Sequence, residues 1–201
     1  MIHPNLTMPT KIRIYSTCVL AVVLYGSETW TLTQADWKRL DSFHMRCQRW
    51  IIHTRWYDFV SNNEVLRWTG LLAASSIVRK LRLGLFGHVA RLTEDVPANQ
   101  ILRTCYEAQD GTRPSPDWKR ARGRSPITWI HQICRDTGIS VTDALQLAEG
   151  RSFWRQIATA ECYGWMLRVV MMMMMYLSNG RAVVMVVVVC PYVCPSRMYC
   201  G

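Results

Sequence analysis

Acidic residues are scarce: 14 Asp and Glu stand against 24 Lys and Arg, no two aspartates are adjacent, and no acidic residue follows Glu161. The resulting formal charge of +10 favours polyanionic partners, either nucleic acid or an anionic membrane surface. Sustained period-two alternation is also missing, so half-buried strands are not expected. There is no G-x-S-x-G turn, no phosphate-cradling glycine-rich loop and no H-E-x-x-H helix, which leaves nucleophilic, nucleotide-dependent and zinc-peptidase chemistry without a signature. The opening MIHPNLTMPTKIRIY lacks both an apolar stretch behind a basic cluster and a small-residue cleavage site, unlike a secretory signal. The 8 cysteines are therefore expected to be reduced and mostly buried, in an intracellular compartment, nucleus or cytoplasm.

What is present is apolar and helical in period. Half of the 201 residues are hydrophobic, enough for one sizeable core or two small ones. The run Ile14 to Tyr25 is too short to span a bilayer and predicts a buried core helix. Thr33 and Asp36 suggest a capping box opening a helix whose stripe is Trp37, Leu40, His44, Cys47 and Ile51, with Lys38, Arg39, Arg46, Arg49 and Arg55 mostly off it. Ser61 and Glu64 open a short helix that Gly70 can end. A helix from about Ser75 to Leu92 is assigned the stripe Ile77, Leu81, Gly84, His88 and Leu92, with Arg79, Lys80, Arg82 and Arg91 as its charged side. Pro97 suits the first turn of a further helix. Pro126 to Gly138, Ser140 onward and the segment around Phe153, Trp154 and Ile157 complete an all-α reading, an irregular helical bundle.

Two stretches differ from this body. Residues 108–125 are rich in Pro, Gly and basic side chains and read as a basic linker. It divides a helical region over 11–107 from a smaller one over 126–160. Residues 161–201 are Met/Val-rich and of low complexity, with five consecutive methionines, Met171 to Met175. Five tandem ATG codons point to a translated simple repeat, so read-through is the expected origin of this tail. A membrane role would require the tail to insert, yet Arg168, Asn179 and Arg181 cut it into pieces too short to span singly.

Five motifs occur in a fixed order: VLYGSETW, FHMRCQRWI, RWYDFVSNNEVL, RKLRLGLFGHVAR and RARGRSPITWIHQICRDTG. Together, over about residues 11–160, they resemble the region C-terminal to the fingers and palm of LINE-type (non-LTR) retrotransposon reverse transcriptases, thumb included. The family's Arg-Arg-Leu-Arg-Trp segment is here Arg79, Lys80, Leu81, Arg82 and Leu83, and its Gly-Arg-Pro loop is Gly123, Arg124, Ser125 and Pro126. The resemblance implies a thumb-like scaffold over 11–107 that binds template–primer and packs on a palm encoded upstream. Polymerase chemistry needs carboxylates that hold two metal ions. In that family an Asp-Asp pair in the palm supplies them, and this sequence has none. The chain is thus expected to be a non-catalytic fragment that needs no cofactor. An exposed apolar patch is expected where the palm is missing.

The candidate nucleic-acid-binding set is Arg79, Lys80, Arg82, Arg91, Arg113, Lys119, Arg120, Arg122 and Arg124. These residues are placed to follow the phosphates of RNA or DNA in a salt-dependent manner, with an ordinary solvated face as the simpler alternative. Trp118 in the linker can stack on a base or merely cover an apolar edge. Trp56 and Asp58 suggest a helix-terminating corner with the carboxylate bonded to local amides. His44 and Cys47, three apart on one face, and His88 are weak metal candidates. No fourth ligand accompanies them, and packed core residues are the simpler reading. Cys190, Cys194 and Cys200 are too loosely spaced for a metal site. Two further classes remain: a membrane-tethered protein anchored by the tail, and a host-recruited protein-interaction module.

Overall fold

The computed structural model describes residues 6–109 and 127–159, and among them every regular element is helical. The elements are α1 (Met8–Ile14), a π-helical stretch (Tyr15–Leu20), α2 (Ala21–Val23), α3 (Gln34–Ile51), α4 (Asn62–Thr69), α5 (Ala74–Ala90), α6 (Pro97–Gln109), α7 (Trp129–Thr137), α8 (Val141–Glu149) and α9 (Arg151–Thr159). The all-α expectation holds. The membrane-tail reading and residues 161–201 lie outside the described residues, as does most of the 108–125 linker. Among the described residues no helix is long and apolar enough to cross a membrane.

Local chemistry sets most boundaries. Thr33 accepts from the Asp36 amide, and the Asp36 carboxylate returns the bond to the Thr33 amide. Ser61 and Glu64 repeat this reciprocal cap on α4. Each such cap satisfies two amides that a helix start otherwise leaves unbonded. Gly70 and Gly138 stop α4 and α7 in left-handed conformation at φ 68° and 73°, where a side chain would be strained. Thr128, rather than Pro126, caps α7 by accepting from the His131 amide. Within the π-helix region, the Ser16 and Thr17 hydroxyls both donate to Arg13 O, engaging a carbonyl where the ladder changes register.

The Ile14–Tyr25 run is buried on one side only. Tyr15, Leu20 and Leu24 enter a core with Ile51 and Val78, whereas Ile14, Val22 and Tyr25 face outward. The stripe assigned to α3 is the one that faces inward: His44 and Ile51 are buried, with Trp37, Leu40 and Cys47 packed against the same core.

For α5 the assigned face is largely the wrong one, although its Ile77 packs against the smaller core. Leu81, Gly84 and His88 are exposed, and the buried side carries Ala74, Val78, Arg82, Leu83, Phe86 and Gly87. An arginine on the inward face displaces any periodicity that counts arginine as a solvent residue. The larger core joins Leu83, Phe86 and Leu102 to Ile130, Ile133, Ala144, Trp154 and Ile157. It therefore draws on residues from both sides of the 108–125 segment.

Trp154 is the keystone of that core. Its indole N–H donates to Leu83 O at 2.7 Å, and its ring lies so close to Gly87 that a Cβ there would overlap it. Gly87→Ala is expected to lower stability by about 1–3 kcal/mol through overpacking, read as a lower urea midpoint; an unchanged midpoint would show that the ring shifts freely.

Candidate functional site

Among the described residues, an open groove of about 1250 Å³ lies between α3, the start of α5 and α7. Its walls carry five basic side chains, Lys38, Arg46, Arg49, Arg79 and Arg135, against two acidic ones, Asp41 and Asp136. Helical spacing explains the α3 wall: positions 38, 42, 45, 46 and 49 recur at three- and four-residue steps, so they share one face. Trp37 and Trp50 add aromatic surface. The acidic groups are already engaged. Asp41 accepts from the Ser75 amide at 3.0 Å at the start of α5, a favourable place for a carboxylate. Asp136 accepts from Arg82 at 2.6 Å. Lys38, Arg46 and Arg135 are exposed and give the groove its positive character.

Arg82 does not belong to a phosphate-binding surface. It is 0% exposed, ion-paired to Asp136, bonded to Trp30 O at 3.2 Å and stacked over the Trp37 ring at 5.4 Å. Burial pushes the Asp136 carboxyl up, against the downward pull of the Arg82 charge and hydrogen bond. Arg79 is half-buried and donates twice to Asp136 O, at 3.1 and 3.0 Å. Arg91 donates to Ala148 O at 2.7 Å; burial holds its pKa down, helped by the charges of Arg151 and Arg155. These three arginines thus join helices to one another. Lys80 is exposed but is not part of the groove wall. Arg113, Lys119, Arg120, Arg122 and Arg124 lie outside the described residues, as do Trp118 and the cysteines of the tail. The basic wall comes instead from α3 and α7, and its signal was the set of cations lying off the α3 apolar stripe.

His44 is fully used as a structural residue. Its Nε2–H donates to Leu72 O at 2.9 Å, which leaves Nδ1 to accept from the Tyr15 hydroxyl at 2.7 Å. Both nitrogens a metal would take are occupied, and His88 lies exposed on α5. Among the described residues no group of three His, Cys, Asp or Glu side chains is placed to hold a metal ion. Burial lowers the His44 pKa, only partly countered by the bond to Leu72 O. Burial likewise raises the Tyr15 hydroxyl, with Cys47 beside it adding to the effect.

Around Trp56, the corner reading holds. The Asp58 carboxylate accepts from the Arg55 amide at 2.7 Å. Arg49 then ties α3 to this turn through Val60 O and Asn62 Oδ1, both at 2.8 Å.

Comparison with known proteins gives one informative match. The chain is 26% identical over 154 residues to an uncharacterized transposon-derived protein, F52C9.6, of Caenorhabditis elegans, covering 72% of this chain and 52% of that protein. This likeness is consistent with a transposon origin, and the chain spans about half the length of the curated relative it matches. No family model matches, and no solved structure matches.

Two outcomes follow from the buried polar groups. Arg82→Ala should cost about 3–5 kcal/mol, because the Asp136 carboxylate loses its counter-charge; urea denaturation followed by circular dichroism measures it. His44 has a depressed folded-state pKa, so below its ordinary value of about 6.5 the unfolded chain binds a proton that the folded chain refuses. Stability should be intact above that pH and fall on acidification until the folded-state pKa is passed. A His44→Gln variant should lack this component, and an identical pH profile for the two proteins would refute it.

Proposed function

We propose that this chain is the post-palm, thumb-containing part of a LINE-type retrotransposon reverse transcriptase, non-catalytic as it stands, and that it binds nucleic acid through the α3–α7 groove. The single observation behind the binding role is that groove wall: Lys38, Arg46 and Arg135 project from two helices into one concavity whose carboxylates are already bonded. Phosphates following the groove would meet cations on both sides, the arrangement that supplies sequence-independent affinity. The ordered motifs and the likeness to a transposon-derived protein support the origin. The absence of any Asp-Asp pair supports the lack of polymerase chemistry in these residues.

A protein neighbour is the natural cover for a different side. Ile14, Val22 and Tyr25 present exposed apolar surface on α1, α2 and the turn after it. Surface of this kind marks an interaction site, and in the proposed setting the partner is the polymerase palm.

Fluorescence anisotropy of the full chain with a short blunt RNA–DNA duplex tests the groove. Affinity should fall steeply between about 50 and 200 mM salt. The triple variant Lys38→Ala, Arg46→Ala, Arg135→Ala should reduce the log–log salt slope by roughly 2–3, at about 0.9 per phosphate contact. Binding without salt dependence, or a triple variant with unchanged affinity, would rule the groove out.

A further inference from the structure

At one end of the groove, where Trp50, Thr54 and Asn62 line it, the chain turns through Arg55 to Val60 and displays three aromatic side chains. Trp56 is 84% exposed and Phe59 88% exposed, with Tyr57 about half exposed between them. Such exposure is unusual for rings of this size, which ordinarily bury a large apolar area. The backbone also holds them there at a cost. Phe59 sits in left-handed conformation at φ 50°, a genuine outlier for a bulky side chain. Strain of this kind persists only when the surroundings enforce it. Here the enforcing bonds are Arg55 N–H to Asp58 Oδ2 and Arg49 to Val60 O on either side of the aromatics. Within the turn, Trp56 and Tyr57 meet edge to face at 5.7 Å. Arg55 lies over the Tyr57 ring at 5.8 Å and donates to its hydroxyl.

We infer that this turn is a stacking platform for unpaired bases of a nucleic-acid strand whose backbone lies in the adjoining groove. The inference rests on the groove reading and adds to it the class of strand recognised. Charge selects the occupant. Arg55 lies over the Tyr57 ring and Arg49 is bonded to the turn at Val60 O, while the acid of the turn, Asp58, is committed to the Arg55 amide. Exposed aromatic rings set beside arginines that can neutralise phosphate form the combination that binds single strands, because every base offers a π-face. An apolar protein surface would gain from the rings but not from the desolvated Arg49 and Arg55 guanidinium groups.

The test uses the full chain and two labelled probes built on the same short RNA–DNA duplex, one blunt and one with an unpaired 3′ thymidine tail. The wild-type chain is expected to prefer the tailed probe. Trp56→Ala and Phe59→Ala, each outside both cores and so expected to keep native helicity, should each weaken tailed-probe binding about 5- to 150-fold while sparing the blunt duplex. Equal affinity for the two probes, or a preference that survives both substitutions, overturns the platform and leaves the groove standing. An equal loss on both probes assigns the rings to general docking and overturns it as well. So does self-association in sedimentation that the same substitutions abolish, which would make the turn a protein contact. Absence of salt-dependent binding to either probe removes the groove reading itself.

Discussion

A buried guanidinium organises this molecule. Arg82 stands in the middle of α5, out of contact with water, and reaches three other parts of the chain: Asp136 on α7, the Trp30 carbonyl and the Trp37 ring on α3. Removing such a charge from water is expensive unless its donors are met. The planar guanidinium meets most of that demand, although its Nε–H has no partner among the described residues. A lysine could not do the same, lacking the forked donors and the flat face that stacks on indole. What the pair adds is orientation. It sets α7 against α5 in one register, and that register brings Arg135, the residue before Asp136, to the wall of the groove.

Hydrogen bonds between segments distant in sequence reinforce the same register. The Trp129 indole donates to Glu28 O and the Gln132 amide to Leu32 O, both at 2.7 Å. They anchor the end of the VLYGSETW motif, at Glu28, and the stretch just after it, at Leu32, on the first turn of α7. The larger core then closes beneath, with Trp154 seated on Gly87. The motifs that suggested a family resemblance thus meet in space, and several of their polar residues serve to join elements.

How far the sequence disclosed this depends on the range of the interaction that decides each feature. Caps were legible because Thr33 with Asp36 and Ser61 with Glu64 act across one helical turn. The α3 stripe was legible because its buried face is apolar apart from residues that find partners nearby. The α5 face was not, since Arg82 reads as solvent-facing until Asp136, 54 residues later, is placed beside it. The candidate site suffered the same way. Clustered arginines on α5 drew attention, yet Arg79, Arg82 and Arg91 are spent on carbonyls and a carboxylate, while the cations left to solvent on α3 were visible as off-stripe residues. Whether a charge is available depends on its long-range partners, and periodicity carries no record of those.

The separation of Arg82 from Asp136 also bears on synthesis. Chains lengthen at roughly 5–20 residues per second, so Arg82 is made about 3–10 s before its counter-ion exists. Through that interval α5 has an apolar face interrupted by an unneutralised charge, and the Glu28 and Leu32 carbonyls lack their α7 donors. Helices α3 and α4, which carry their own caps, can form early. The shared core must wait for α7 to α9, so the nascent chain passes through a stage with much apolar surface uncovered, where a chaperone would find its opportunity.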